Sequence, residues 1–191
     1  MHRHVRWTGW DGQGLEHCDI RLSACALTLD AVVAGNRDGL YGAHYLVRTD
    51  DDGATRELRV GYAGGAEMRL HAPQPGRWHD DLRDRALPDL DGCLDVDIGV
   101  TPSTNALPIR RLRLASGQAA PIRVAYVPLP SQISGDFLPR PAEQRYTRLG
   151  PDLYRYEGLF RNFTAELQVD DLGMVLDYPG YFLRLPSSGE G

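Results

Sequence analysis

Apolar and polar residues alternate in short runs along this chain, and each run ends at a cluster of Gly, Pro or Asp. A period of two puts successive side chains on opposite faces of a strand, so the pattern predicts β-strands separated by turns. The runs Leu15 to Leu22, Cys25 to Ala34, Leu40 to Arg48, Thr55 to Ala63 and Glu67 to Ala72 are broken at Gly35 to Gly39, Asp50 to Gly53 and Gly64 to Gly65. Later runs follow the same rule: Cys93 to Val100, Ile109 to Ala115, Ile122 to Val127, Gln144 to Leu149, Leu153 to Gly158, Thr164 to Asp170, Met174 to Tyr178 and Tyr181 to Leu185. No heptad and no sustained helical period interrupts them. The expected fold is all-β: a single antiparallel β-meander over residues 1–191 that curls into an open or closed β-barrel, because so many strands must protect their edges. A barrel of this size encloses an internal cavity, so room for a ligand follows from topology. Pro73 to Leu90 and Pro128 to Glu143 are rich in Pro, Gly and charge and too long for simple turns; they read as lids or mobile insertions.

With 191 residues, 42% of them hydrophobic, the chain fills one sizeable core. Its longest apolar stretches, such as Val32 to Ala34, fall far short of the roughly 20 residues that span a bilayer, so an integral membrane protein is not expected. Met1 to Trp10 carries His2, Arg3, His4 and Arg6 with no apolar run behind them, which predicts a cytoplasmic protein whose first residues fray. A net charge of −5 disfavours sequence-independent nucleic-acid binding. The charge is uneven: seven aspartates face two arginines between Asp80 and Asp97, and nine arginines face four acids between Arg110 and Arg161, so the two zones are expected to neutralise each other. All 21 basic side chains are arginine, which excludes a lysine Schiff base. Cys18, Cys25 and Cys93 form no C-x-x-C pair and read as reduced structural thiols, with no cofactor or metal implied.

The run LDGCLDVDIGVTPSTNALPIRRL, Leu90 to Leu112, reads as a hairpin. A loop centred on Thr104 would pair Leu94 with Leu114, Val96 with Leu112, Asp97 with Arg111 and Asp95 with Arg113. Asp95 and Asp97 are then cross-strand ion-pair partners; the competing reading groups Asp91, Asp95 and Asp97 as oxygen ligands or as the carboxylates of a hydrolase. In that register Arg110 falls on the apolar face opposite Ile98, where a charge needs a carboxylate, water or an anionic ligand. Pro102 and Pro108 stiffen the loop, and Ser103, Thr104 and Asn105 supply hydrogen-bonding groups that stabilise the turn or meet a ligand. Trp7 and Trp10 form either a plug at one barrel end or a platform for sugar or acyl groups. Tyr126, Tyr146, Tyr154 and Tyr156 sit on strands, where only proximity to a cavity would give them a role. The chain has no G-x-S-x-G, P-loop, dinucleotide fingerprint or H-E-x-x-H, and His17, His44, His71 and His79 are scattered, so no catalytic residue is nominated. Asn162-Phe163-Thr164 matches a glycosylation acceptor by chance.

Several of these segments together resemble the bacterial putative glycolipid-binding protein family: Trp7-x-x-Trp10 with Glu16, the Leu90 to Leu112 run, AYVPLP from Ala125, QRYTRL from Gln144 and VDDLGMVLDYPGYFLR from Val169. The likeness runs from about Val5 to Leu185. It implies a β-barrel similar to bacterial lipoprotein carriers, with an apolar cavity for lipid chains. The leading expectation is a non-catalytic protein that holds an amphiphile, a glycolipid or fatty acyl molecule, with Arg110, Asn105, Trp10, Trp7 and Tyr126 as ligand-contacting residues. The competing expectations are the carboxylate hydrolase above and a structural module with a solid core.

Overall fold

In a computed structural model, residues 1–159 and 162–186 are described, and two curled sheets pack around one short helix. The larger sheet contains β1 (His2–Gly9), β2 (Leu15–Ser23), β3 (Ala26–Gly35), β4 (Tyr41–Thr49), β5 (Thr55–Tyr62), β6 (Glu67–Gln74), β7 (Arg77–Asp80) and β8 (Arg85–Ala86). These pair in chain order, antiparallel throughout. On the β1 side the sheet continues into β15 (Phe182–Arg184) and then β14 (Asp177–Tyr178). The smaller sheet runs β13 (Phe163–Gln168), β12 (Leu153–Gly158), β11 (Arg140–Arg148), β10 (Ala119–Val127), β9 (Asp95–Ile98).

The two-residue period holds across the large sheet. Val5 and Trp7; Cys18 and Ile20; Leu27, Leu29, Ala31 and Val33; Tyr45 and Val47; Leu58 and Val60; and Met68 and Leu70 are all buried on its concave face. The first strand is an ordered part of this pattern, not a frayed end: Val5 and Trp7 point inward between charged neighbours. The small sheet curls over this face without closing the barrel. An isolated bridge between Val169 and Val175 and a bond from Leu176 N to Gln168 O (2.8 Å) stitch one flank. Bonds from Thr55 N to Leu94 O (2.8 Å) and from Gly92 N to Gly76 O (3.0 Å) stitch the other.

The hairpin expected in the central run is absent. β9 pairs parallel with β10, Asp97 beside Tyr126, and parallel neighbours need a crossover connection. That crossover carries α1 (Ala106–Leu112). Pro108 is tolerated because it stands in the first turn, where its missing N–H would have had no intrahelical partner. Arg110 and Arg111 occupy the last turn, where cations favour the helix dipole. Leu107 packs into the main core and Ile109 into a second core formed by Tyr146, Tyr154, Tyr156, Leu167 and Val175, so α1 fills the space between the sheets. Among the described residues no helix is long and apolar enough to cross a membrane.

The two long segments read as lids are pinned down. Pro73 to Leu90 contributes β7, β8 and the buried Trp78, whose indole N–H donates to Cys93 O at 2.9 Å. In Pro128 to Glu143, Tyr62 Oη donates to Pro128 O (2.9 Å) and Phe137 is buried against the Tyr62 ring. Cys18 and Cys93 are buried free thiols and Cys25 is an exposed one.

Candidate functional site

Two adjoining cavities, of about 310 and 290 Å³, open at the end of the molecule where the two sheets part, and they share Arg37, Tyr181 and Phe182 as a common wall. The first is built by the turn after β1 and its neighbours: Trp10, Asp11, Gln13, Glu16, Asn36 and Tyr41 line it. Gly14 holds a positive φ of 79° here, and a β-carbon on it would lie 2.6 Å from Ala34 O, so this turn closes only on glycine. Gly35 likewise leaves room for the Tyr41 ring, which a β-carbon would overlap. The second cavity lies at the unclosed flank. Tyr178 and Tyr181 reach it from the turn Tyr178-Pro179-Gly180-Tyr181, where Gly180 has φ 80° and Tyr181 N bonds Tyr178 O at 2.9 Å, a type II arrangement. Phe163 and Tyr156 face them across the seam, with ring centroids 5.3 to 6.3 Å apart. Arg37 lies over the Tyr181 ring, 5.1 Å from its centre, and joins the two spaces.

Beneath the first cavity lies a buried polar cluster. Tyr45 Oη donates to Glu16 Oε1 at 2.5 Å, Thr101 Oγ1 donates to the same oxygen at 2.7 Å, and Ser103 Oγ lies 2.7 Å from Tyr45 Oη. Glu16 lines the cavity, and its second oxygen, Oε2, is buried with no hydrogen-bond partner. Burial pushes the Glu16 carboxyl up to about 7, although the hydrogen bonds from Tyr45 and Thr101 pull the other way. Near neutrality this group both carries a proton and gives one up, so it can donate to or accept from a ligand hydroxyl. Burial also lifts the Tyr45 phenol, with the neighbouring Cys18 and Glu16 adding to the effect, so Tyr45 stays a donor.

The residues singled out from sequence divide between places. Trp10 is 46% exposed, Trp7 is wholly buried, and both line the first cavity; the Trp7 indole N–H donates to Val175 O at 2.9 Å and Arg184 covers its ring. Asn105 and Tyr126 meet in the second cavity. Asn105 is committed inward, donating to Pro102 O (2.9 Å) and accepting from Tyr146 Oη (2.8 Å). Tyr126 Oη donates to Gln132 Oε1 at 3.3 Å. Arg110 is apart from all of them and does not face Ile98. It sits at the end of α1, donates to Leu172 O at 3.3 Å, and lines a separate cavity of about 250 Å³ with Cys25, Thr49 and Arg113.

The aspartates also differ from the expected register. Asp95 is fully buried and holds Arg111, with Nε–Oδ1 at 3.0 Å and Nη2–Oδ2 at 2.5 Å, in place of Arg113. Burial raises its pKa against the pull of Arg111. Asp97 accepts from the buried Gln144 amide at 2.6 Å and lines the second cavity; Asp91 meets Arg77. Each carboxylate thus has its own direction, and the three do not form one ligand cluster. The expected mutual neutralisation of the two zones is carried by Asp95 and Arg111, with Arg83 and Arg85 reaching Asp136 in the opposite sense; other charges pair within their own zone, Asp80 with Arg83 and Arg85 and Arg145 with Glu157, and Arg161 lies outside the described residues. Sequence reasoning missed Arg37, Tyr45, Tyr181 and the position of Glu16. The signal for Glu16 was present: it alternates with Cys18 and Ile20, which puts a carboxylate on the apolar face of β2.

Fold and cleft define a curled all-β protein, stitched but not closed, with a ligand-sized aromatic and polar cleft at its open seam. The chain belongs to the family described as putative glycolipid-binding, whose sequence pattern matches residues 4–184. It is similar to a solved structure of a DUF1089 family protein from Pseudomonas aeruginosa, with 39% identity over 93% of this chain and 92% of that one and a TM-score of 0.74. No curated protein matches it.

Proposed function

We propose that this protein is a non-catalytic binder of amphiphiles with a hydroxylated headgroup, of the glycolipid class, and that the headgroup occupies the double cleft. The observation that carries this reading is Glu16, a buried carboxyl-bearing residue in the lining of a cavity ringed by Trp10, Tyr41 and Tyr181, with its Oε2 lacking a hydrogen-bond partner. Aromatic faces stack on the C–H faces of sugars, while Glu16, Asp97 and Arg37 offer the hydrogen-bonding groups that orient hydroxyls. The outer rim is apolar. Leu15 and Trp10 are each 46% exposed, and Leu40 projects fully beside a hollow that continues past Gln13 and Tyr41. That rim suits the first methylenes of an acyl chain. The space between the sheets is filled by α1 and packed side chains, so this reading puts the chain at the rim and not in a deep apolar interior. The family's description as glycolipid-binding supports the ligand class.

Calorimetric titration with an alkyl glucoside below its micellar concentration tests the proposal. Binding is expected, with Trp10→Ala and Glu16→Ala each weakening it about five- to tenfold, the loss of one stacking or one polar contact. A fatty acid of equal chain length should bind far less well. Equal affinity for both ligands, or affinities untouched by both substitutions, would refute the headgroup site. Native mass spectrometry of protein purified from its own host should show a retained lipid of this class.

A further inference from the structure

The scattered histidines converge on the outer face of the large sheet. His71 of β6 and His79 of β7 are cross-strand partners with ring centroids 5.2 Å apart, and Asp81, just beyond β7, folds back onto both. One ligand atom from each of the three lies within 4.8 Å of the other two. His71 Nδ1 is hydrogen-bonded to Asp81 Oδ1. His79 Nδ1 stands 3.7 Å from that same oxygen, is buried, and makes no hydrogen bond. On the far side of the ring, His79 Nε2 faces Asp84 Oδ1 at 3.5 Å. With Nε2 turned to Asp84, His79 directs its unpartnered Nδ1 at the Asp81 carboxylate, a nitrogen and an oxygen that a cation between them would join. A carboxylate behind a histidine that points its other nitrogen at a shared centre is the usual orienting arrangement around a bound metal.

We propose that His71, His79 and Asp81 form a surface site for a borderline-soft divalent ion of the zinc class, with Asp84 orienting His79. Two imidazoles and one carboxylate suit such an ion, whereas calcium and magnesium take oxygen shells. Tetrahedral ligands at zinc stand about 3.3 to 3.6 Å apart, close to the His79–Asp81 separation; the His71–Asp81 contact has to widen and the two imidazole nitrogens, within 4.8 Å of each other, have to settle at the same spacing. Both of those side chains are close to half-exposed and free to turn. The other histidine group, His2, His4 and Asp19, is a poorer site, because Arg21 Nε already lies 3.0 Å from Asp19 Oδ1 and would repel a metal. At Asp81 the ion pairs among the described residues are with the two histidines. A bound ion would tie β7 to β6 near the edge of the sheet.

The test uses tag-free, chelator-treated protein titrated with Zn²⁺ by calorimetry and with Co²⁺ by visible absorption. One equivalent should bind with micromolar affinity, and Co²⁺ should show the intense visible bands of a low-coordinate site. His71→Ala and Asp81→Asn should each weaken Zn²⁺ at least tenfold, and Asp84→Asn, at an exposed side chain, about tenfold through His79 alone. His2→Ala should leave the affinity unchanged. Thermal melts of the metal-free variants identify any that fail to fold, and Asp84→Asn then carries the test. No binding at 1 mM Zn²⁺ (about a thousandfold above the expected affinity), or affinity lost in His2→Ala and retained in both His71→Ala and Asp84→Asn, overturns the assignment.

Discussion

Replacing Glu16 with Gln should make the protein more stable, and the gain should grow with pH. In the unfolded chain the carboxyl titrates near its ordinary value of 4.5; in the fold, burial holds it at about 7. An acid whose folded pKa is raised loses stability as pH rises, because the unfolded state releases the proton first. The loss begins near pH 4.5 and is complete above pH 7. Proton linkage with these two values gives a cost of about 0.8 kcal/mol at pH 5 and about 3 kcal/mol at pH 8. Gln keeps an oxygen that accepts from Tyr45 and Thr101, and its amide group replaces the protonated Oε2, so the variant lacks this titration while preserving the cluster. The difference between variant and wild type should therefore widen by about 2.5 kcal/mol from pH 5 to pH 8, with all other titrations cancelling. Urea unfolding at both pH values measures it: at a slope of about 2 kcal/mol/M, the midpoint difference should widen by roughly 1.2 M. A constant difference across this range would mean that Glu16 ionises as freely in the fold as outside it, and the account of the cleft floor would fail.

Two further substitutions probe the scaffold of the site. Asp95→Ala leaves Arg111 without its fully buried carboxylate and should cost about 3 to 5 kcal/mol in urea unfolding; a loss under about 1 kcal/mol would show the pair to be solvated. Gly35→Ala puts a methyl group into the Tyr41 ring and should cost about 1 to 3 kcal/mol while lowering alkyl glucoside affinity, since Tyr41 must leave the wall of the first cavity; unchanged affinity would place Tyr41 outside the binding surface.

The large sheet was legible because its strands follow one local rule over most of their length: β2, β3 and β6 bury alternate residues, β4 and β5 do so in part, and all but the β2–β3 turn carry Gly or Asp. β1 obeys it too, but four basic residues around Val5 and Trp7 mask the period, and the pairing of His2 and His4 with Asp19 appears only once β2 lies alongside. The central run misled for a physical reason. Arg110, Arg111, Leu112, Arg113 and Leu114 alternate well enough for a strand, and what makes their segment a helix is remote: β9 and β10 are parallel, which no feature of residues 90–112 announces. The cleft was hidden in the same way. Glu16, Arg37, Tyr45, Thr101 and Tyr181 come from five separated segments, and only the sheet register gathers them. Glu16 is the exception, since a carboxylate at an inward position of a strand is visible without any partner strand.

The position of the cleft follows from the way the barrel fails to close. A closed barrel would carry continuous ladder hydrogen bonds between β13 and β14, with neighbouring strands about 4.8 Å apart and no space at the seam. Here that flank is held by the Val169–Val175 bridge and the Leu176–Gln168 bond, all at the end of β13 remote from Phe163. Beyond them the seam is bridged by side chains: the rings of Phe163, Tyr178, Tyr181 and Phe182 pack against one another and line the second cavity. The backbone groups that a closed ladder would have paired are traded for aromatic faces. The stitches set the width of the opening, and the main-chain bond from Trp10 N to Tyr181 O at 3.0 Å fixes the wall of the first cavity to the wall of the second. On the proposed reading, a ligand that spans both cavities would find them at a preset spacing, and the cleft is expected to prefer headgroups of one length.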